Sequence, residues 1–244
     1  MIVVENLSKS FTSRKVVTPV LDSISFTAHD GEVFGLLGPN GAGKTTALRT
    51  IATLLKPDSG SVTVDTFDSQ RDSRAVRDGM GFLTSEMKLT GHLSGREMLQ
   101  FFGALNHMGK VTIANRIEEL SQSFAMGSYL DVPLAKLSSG MKQKISIAVS
   151  LIHEPQNIVF DEPTSNLDVL AVKVVSDFIR ESKAAGKCVV LSTHILSDAQ
   201  RLCDRIAILH RGKILCEGPL TTLLDDSGAK DLEDLFFKLI SEGY

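Results

Sequence analysis

Nine consecutive residues, Gly38 to Thr46 (GPNGAGKTT), constrain this chain more than any other stretch. Their spacing, G-x-x-x-x-G-K-[ST], is that of a P-loop, a turn whose backbone N–H groups wrap a string of phosphates. Such a loop needs a strand before it and a helix after it. Val33 to Leu37 is an apolar run between Gly31 and Gly38 and reads as a buried strand, while Thr45 to Ile51 reads as a helix. Glycines at 38, 41 and 43 are expected to take positive φ and to turn N–H groups inward, with Pro39, Asn40 and Ala42 completing the curve. The helix start adds partial positive charge and Lys44 a full one, aimed at β and γ phosphates. The Thr45 hydroxyl, followed by Thr46, is a natural ligand for the Mg²⁺ that bridges those phosphates.

Composition bounds the partners. A chain of 244 residues with 43% hydrophobic side chains can form one large α/β domain or two small ones. A formal net charge of −3 without a long Lys/Arg run argues against nucleic acid as a partner. Cys188, Cys203 and Cys216 are an odd number at wide spacings and read as reduced core thiols of a cytosolic protein. No signal peptide opens the chain, and no apolar run reaches the roughly 18 residues of a membrane span. Action at a membrane would therefore require a partner.

Taken in order, Ile2 to Phe11 reads as a strand and turn, and Val16 to Ala28 alternates like a half-exposed antiparallel strand. Phe11, a little upstream of the P-loop, either stacks on a purine ring or closes the edge of a small β-layer. Lys56 to Gly60 is turn chemistry, Ser61 to Asp65 alternates again, and Met80 to Leu83 is a short apolar strand leading into Thr84-Ser85-Glu86. From Ser94 to Ile152 the period becomes helical, over Gly95 to Leu105, Val111 to Phe124 and Met141 to Ile152. Phe101, Phe102 and Met98 in the first of these are either core or a docking surface. The fold expected is an α/β P-loop NTPase core sheet carrying an N-terminal antiparallel β-layer and an inserted all-helical subdomain. The boundaries fall at about 1–84, about 85–153 and about 154–244 within a single domain.

Asn157 to Glu162 (NIVFDE) is an apolar strand ending in two carboxylates, a costly arrangement unless a cation or a reacting water uses them. A turn over Pro163 to Asp168 precedes a helix from Val169 to Ala185. The buried strand Lys187 to Leu191 ends in Ser192-Thr193-His194. A helix over Ile195 to Cys203, strands Arg205 to His210 and Ile214 to Glu217, and an amphipathic tail over Leu220 to Leu224 and Leu232 to Ile240 follow.

The order of these stations, with Leu137-Ser138-Ser139-Gly140-Met141 at the head of a helix, resembles the ATP-binding subunits of ABC transporters over essentially the whole chain. Gly38 to Thr45 match Walker A, Ile158 to Glu162 match Walker B, Ser165 to Asp168 the D-loop, His194 the switch histidine, Phe11 the A-loop and Leu137 to Met141 the LSGGQ signature. The resemblance implies ATP and Mg²⁺ as ligands, a head-to-tail homodimer with ATP sandwiched between cassettes, and transmembrane permease subunits as partners. It places the protein in the cytoplasm, at the inner face of the membrane. Ser138, Ser139 and Gly140 would then meet the γ-phosphate held by the Lys44 of another copy. Asp161 would hold Mg²⁺ through water, Glu162 would polarise the attacking water, and His194 would bind the γ-phosphate. The sequence departs from the pattern at Ser139, where Gly is usual, at Met141, where Gln is usual, and at Ser85, which stands in the Q-loop place of the metal-contacting Gln. Ser is two methylenes too short for that contact, which leaves Glu86 as its alternative. The SSGMKQK stretch is similar to cassettes of multidrug and sodium export systems. A soluble ABC ATPase acting on DNA or the ribosome is the competing reading, against which stands the lack of sustained heptads between Lys44 and Leu137.

Overall fold

The computed structural model describes residues 1–13, 16–84, 91–165 and 167–242, so that Ser85 and Glu86, the expected Q-loop metal contacts, lie outside the described residues. Two long strands, β1 (Ile2–Ser13) and β2 (Val16–Ala28), precede β3 (Val33–Leu37), the P-loop and α1 (Lys44–Ile51). Next come β4 (Ser59–Val64), the two-residue β5 (Phe67–Asp68), α2 (Ser73–Asp78) and β6 (Met80–Leu83). The helices α3 (Gly95–Leu105), α4 (Lys110–Ser123) and α5 (Ser139–Leu151) follow. Then β7 (Asn157–Asp161), α6 (Val169–Ala184), β8 (Cys188–Thr193) and α7 (Leu196–Leu202) return the chain to the sheet. It closes with β9 (Arg205–His210), β10 (Lys213–Pro219), α8 (Leu220–Ser227) and α9 (Leu232–Glu242).

The strands form two sheets. One is the antiparallel layer β2-β1-β4-β5, and the other has the order β10-β9-β3-β8-β7-β6, parallel except for the β10–β9 pair. The central strands β3, β7 and β8 are buried throughout and mostly apolar because both faces of the second sheet are covered. Alternation sorts their side chains. Phe34 and Leu36 of β3, Val159 of β7, Val190 of β8 and Ala207 and Leu209 of β9 face a core shared with the antiparallel layer and α1. Val33 and Leu37, Ile158 and Phe160, Val189 and Leu191, and Ile206 and Ile208 face the helices on the opposite side. The expected layered α/β fold with a helical insert is thus present.

Local chemistry explains most boundaries. Ser94 accepts the Glu97 N–H while Glu97 accepts the Ser94 N–H, a capping box that starts α3 at Gly95. Three expectations need correction. The carboxylate-bearing strand stops at Asp161, and Glu162 leaves it with a left-handed φ of 53°. Helix α7 ends at Leu202, with Cys203 extended beyond it. In α3 the three residues that stood together as either core or docking surface separate: Met98 is core and Phe102 packs against core, whereas Phe101 is 57% exposed. The short α2 and β5 had no counterpart in the sequence reading, since six and two residues are too few to display a period.

The joint between the two sheets is aromatic. Phe26 of β2 lies parallel to Phe34 of β3, with ring centroids 4.9 Å apart and planes 11° apart, and both are buried. Phe26→Ala is expected to lower the unfolding free energy in urea by about 3–5 kcal/mol, because a ring-sized cavity opens between layers. Phe67→Ala, at an exposed ring on β5, should change it by less than about 0.5 kcal/mol. Equal small effects at both positions would mean that this stack does not join the layers.

Candidate functional site

Strands β3, β7 and β8 run parallel and in register, pairing Leu37 with Thr193 and Asp161 with Ser192. Their carboxyl ends therefore open on one edge, where α/β sheets gather ligand-binding loops. The P-loop rises from the first of them. Its glycines serve two needs: Gly41 and Gly43 adopt φ of 82° and 113°, whereas Gly38 is required by close approach, because a Cβ there would sit 2.1 Å from the Leu209 carbonyl oxygen. Gly43 is the N-cap of α1 and offers no side-chain cap, so the first-turn N–H groups stay available to an anion.

Lys44 is 5% exposed, and its ammonium donates to the Gly38 and Pro39 carbonyls at 2.7 and 3.2 Å, curling back over the loop. Burial pushes its pKa down, opposed by the nearby carboxylates of Glu162, at 3.9 Å, and Asp161. Next to it, the Thr45 hydroxyl donates to Asp161 Oδ2 at 2.8 Å. The other oxygen of this buried carboxylate accepts the Ser192 hydroxyl at 2.5 Å. Both contacts come from neutral groups, so the charge of Asp161 is satisfied but not cancelled.

Glu162 turns away from the strand line through its left-handed backbone, and its N–H is held by Ser192 through the carbonyl at 3.1 Å and the hydroxyl at 3.2 Å. One carboxylate oxygen meets His194 Nδ1 at 2.9 Å and the other accepts the Ser165 hydroxyl at 2.9 Å. Burial raises the Glu162 pKa, yet hydrogen bonds from His194 and Ser165 outweigh it and hold the carboxyl below its usual range. A left-handed glutamate with both oxygens engaged is a strained, oriented group of the sort that marks working sites.

The residues named from sequence fall into two sets. Gly41, Gly43, Lys44, Thr45, Thr46, Asn40 and Glu162 line one cavity of about 280 Å³, with Asp161 and His194 hydrogen-bonded to members of it. Ser138, Ser139 and Gly140 are not among its described lining residues. Ser138 caps α5 by accepting the Met141 N–H at 3.2 Å, and Gly140 packs near Leu167 and Asp168 of the D-loop. Phe11 also lies outside the lining, on β1, with the Lys9 ammonium 5.6 Å from its ring centroid. Sequence reasoning missed Val20, which does line the cavity, and the hydroxyl partners Ser192 and Thr164. Ser192 is adjacent to the His194 station, so its place at a strand end was a usable signal. A larger cleft of about 460 Å³ between α7 and α9 carries Asp231 and Glu233 on its wall and no glycine loop, a poor setting for phosphates.

Comparison with known proteins agrees with this geometry. The profile of the family described as ABC transporter matches residues 21–165. The chain is 38% identical over 244 residues to the ABC transporter ATP-binding protein NatA of Bacillus subtilis, covering 100% of this chain and 99% of that one. It is 36% identical over 231 residues to the Nod factor export ATP-binding protein I of Sinorhizobium fredii, covering 95% of this chain and 66% of the other. Among solved structures, an ATP binding subunit of an ABC transporter superposes with a TM-score of 0.89 at 29% identity, over 98% of this chain and 99% of the other. A dimeric ATP-binding cassette in a post-hydrolysis state, bound to ADP and Pi, gives a TM-score of 0.83 at 26% identity, over 90% of this chain and 99% of the other.

Proposed function

The chain belongs to the ABC transporter family as an ATP-binding subunit that hydrolyses ATP, and from that premise we propose which residues perform the hydrolysis and what it drives. The observation that carries the proposal is the convergence of Lys44, Thr45, Asp161, Glu162 and His194 at one edge of the sheet. Lys44 exchanges its two loop carbonyls for the β and γ phosphates, and the N–H groups of the P-loop and of the start of α1 take the remaining oxygens. Phe11 stacks on the base while Val20 supplies an apolar wall.

Thr45 and Asp161 present hard oxygen donors side by side, a fit for Mg²⁺. Among the described residues no group of three or more His, Cys, Asp or Glu is placed to hold a metal. That suits a cation bound by one or two protein oxygens and otherwise by phosphate and water. When bound, Mg²⁺ supplies charge neutralisation across the phosphates. Glu162 is the general base: each of its oxygens accepts one hydrogen bond, from His194 or from Ser165, and keeps a lone pair that can take the proton of the attacking water. His194, once released, turns to the γ-phosphate.

Ser138, Ser139 and Gly140 complete the γ-phosphate site of a second copy in a head-to-tail homodimer, an arrangement supported by the likeness to a dimeric cassette. No helix of the described residues is long and apolar enough to cross a membrane; on the likeness to ATP-binding subunits of ABC transporters, the work is delivered to transmembrane permease subunits from the cytoplasmic face. The contact proposed is on α3 and α4, where Phe101, Leu105 and Val111 are exposed and where Gln100, Ala104, Lys110, Ile113 and Ala114 line a cavity of about 370 Å³. Export is the direction proposed, on the likeness to a Nod factor export protein. Phe101→Asp should leave the isolated subunit folded and hydrolysing ATP while abolishing its co-purification with the permease; retained co-purification would place the contact elsewhere.

Glu162→Gln keeps size and hydrogen bonding but cannot accept a proton. ATP turnover should fall by about 10² to 10⁴ while ATP binding, which depends on the P-loop and Lys44, persists. The variant should then accumulate as an ATP-bound dimer in size-exclusion chromatography. Turnover at the wild-type rate would remove Glu162 from the mechanism.

A further inference from the structure

Two bridges span from the loop and helix after β8 to the turn after β7. The first is the His194–Glu162 contact at 2.9 Å. The second lies one helical turn further on, where the buried Thr164 hydroxyl donates to Asp198 Oδ2 at 2.9 Å. Asp198 is itself gripped, since its Oδ1 accepts from Arg201 at 3.0 Å, and the same guanidinium donates to the Ser176 hydroxyl of α6 at 3.3 Å. Ser176 in turn donates to the Val172 carbonyl at 2.7 Å, fixing it to its own helix. Asp198 therefore sits where α6, α7 and the catalytic turn meet.

The turn it grips is short. Ser165 N–H donates to the Glu162 carbonyl at 3.2 Å, and the Ser165 side chain holds Glu162 Oε2. Thr164 lies between these two residues, so any rotation of its backbone carries Ser165, and with it one oxygen of the glutamate. At the other end of the bridge, Asp198 stands four positions after His194. The separation of Glu162 from His194 thus depends on the seating of α7 against Thr164.

We propose that Asp198 is a positioning residue for ATP hydrolysis: through the Thr164 hydroxyl it sets the orientation of the turn that carries Glu162 beside the P-loop. This rests on the assignment of Glu162 as the base. Asp198 and Thr164 are not among the described residues that line the P-loop cavity, whereas Glu162 is, and they act through Glu162. Removing their bond should therefore lower kcat and leave KM for ATP nearly unchanged, because the P-loop and Lys44 are not altered.

The test is a double-mutant cycle on the full chain, with steady-state ATPase kinetics and thermal melting of every variant. Asp198→Ala and Thr164→Val are each expected to lower kcat about tenfold, and the double variant by about the same factor rather than a hundredfold, since both remove one shared interaction. KM for ATP should stay within about twofold. Thr164→Ser keeps the hydroxyl and should restore most of kcat, a rescue that bulk packing at this site would not give because Ser lacks the methyl group. If Asp198→Ala does not fold, the pair of Thr164→Val, nearly isosteric with the wild type, and Thr164→Ser, which keeps the hydroxyl, carries the test alone. Wild-type kcat in Thr164→Val, additive losses in the cycle, or a kcat loss in Thr164→Ser equal to that in Thr164→Val would overturn the proposal. An inactive Glu162→Gln beside a fully active Thr164→Val would sink this inference and leave the base assignment standing; an active Glu162→Gln would sink the base assignment itself.

Discussion

One buried carboxylate sets the geometry on which the rest depends. Asp161 closes β7, takes the Thr45 hydroxyl of α1 on one oxygen and the Ser192 hydroxyl of β8 on the other, and is almost entirely shielded from water. Such a group is costly to bury and is retained only when its hydrogen bonds are complete. Completing them forces three elements, from separate parts of the chain, into one register: the start of the P-loop helix and the ends of two parallel strands. Ser192 extends the constraint by also holding the N–H of Glu162. Glu162 and its histidine partner are thereby placed next to the P-loop.

Around that centre the charges are arranged so that no single partner is final. Lys44 is held by backbone carbonyls, which are weaker partners for an ammonium than phosphate oxygens would be. Glu162 is held by a serine and by a histidine that turns to the γ-phosphate in the reaction proposed. The helical insert shares the core with the sheet and α6 and also touches the D-loop, with Gly140 at the head of α5 lying near Leu167 and Asp168. Asp168 caps α6 by accepting the Ala171 N–H.

Much of this was legible in the sequence because its chemistry is local. The P-loop, the carboxylate-ended strand and the serine heading α5 each announce themselves by residue type at fixed spacing, and β2, β3, α3 and β9 begin and end where their patterns do. What was hidden depends on packing between distant segments. Helical period identifies an apolar face on α3 but not which of Met98, Phe101 and Phe102 the other helices cover. Val20 reaches the cavity only because β2 passes close to Gly43, where a Cβ would lie 2.8 Å from the Val20 carbonyl oxygen. The Thr164–Asp198 bond joins residues 34 apart, and neither carries a motif that names the other.

The account stands on the claim that this edge of the sheet is a phosphate site centred on Lys44. Titrating ATP into the wild type and into Lys44→Ala in the presence of a chelator, followed by calorimetry, isolates that contact from metal and from turnover. The loss of a charged hydrogen-bond donor to phosphate should weaken binding by about 10- to 100-fold, with far-ultraviolet circular dichroism unchanged. Equal affinities in the two folded proteins would contradict the account.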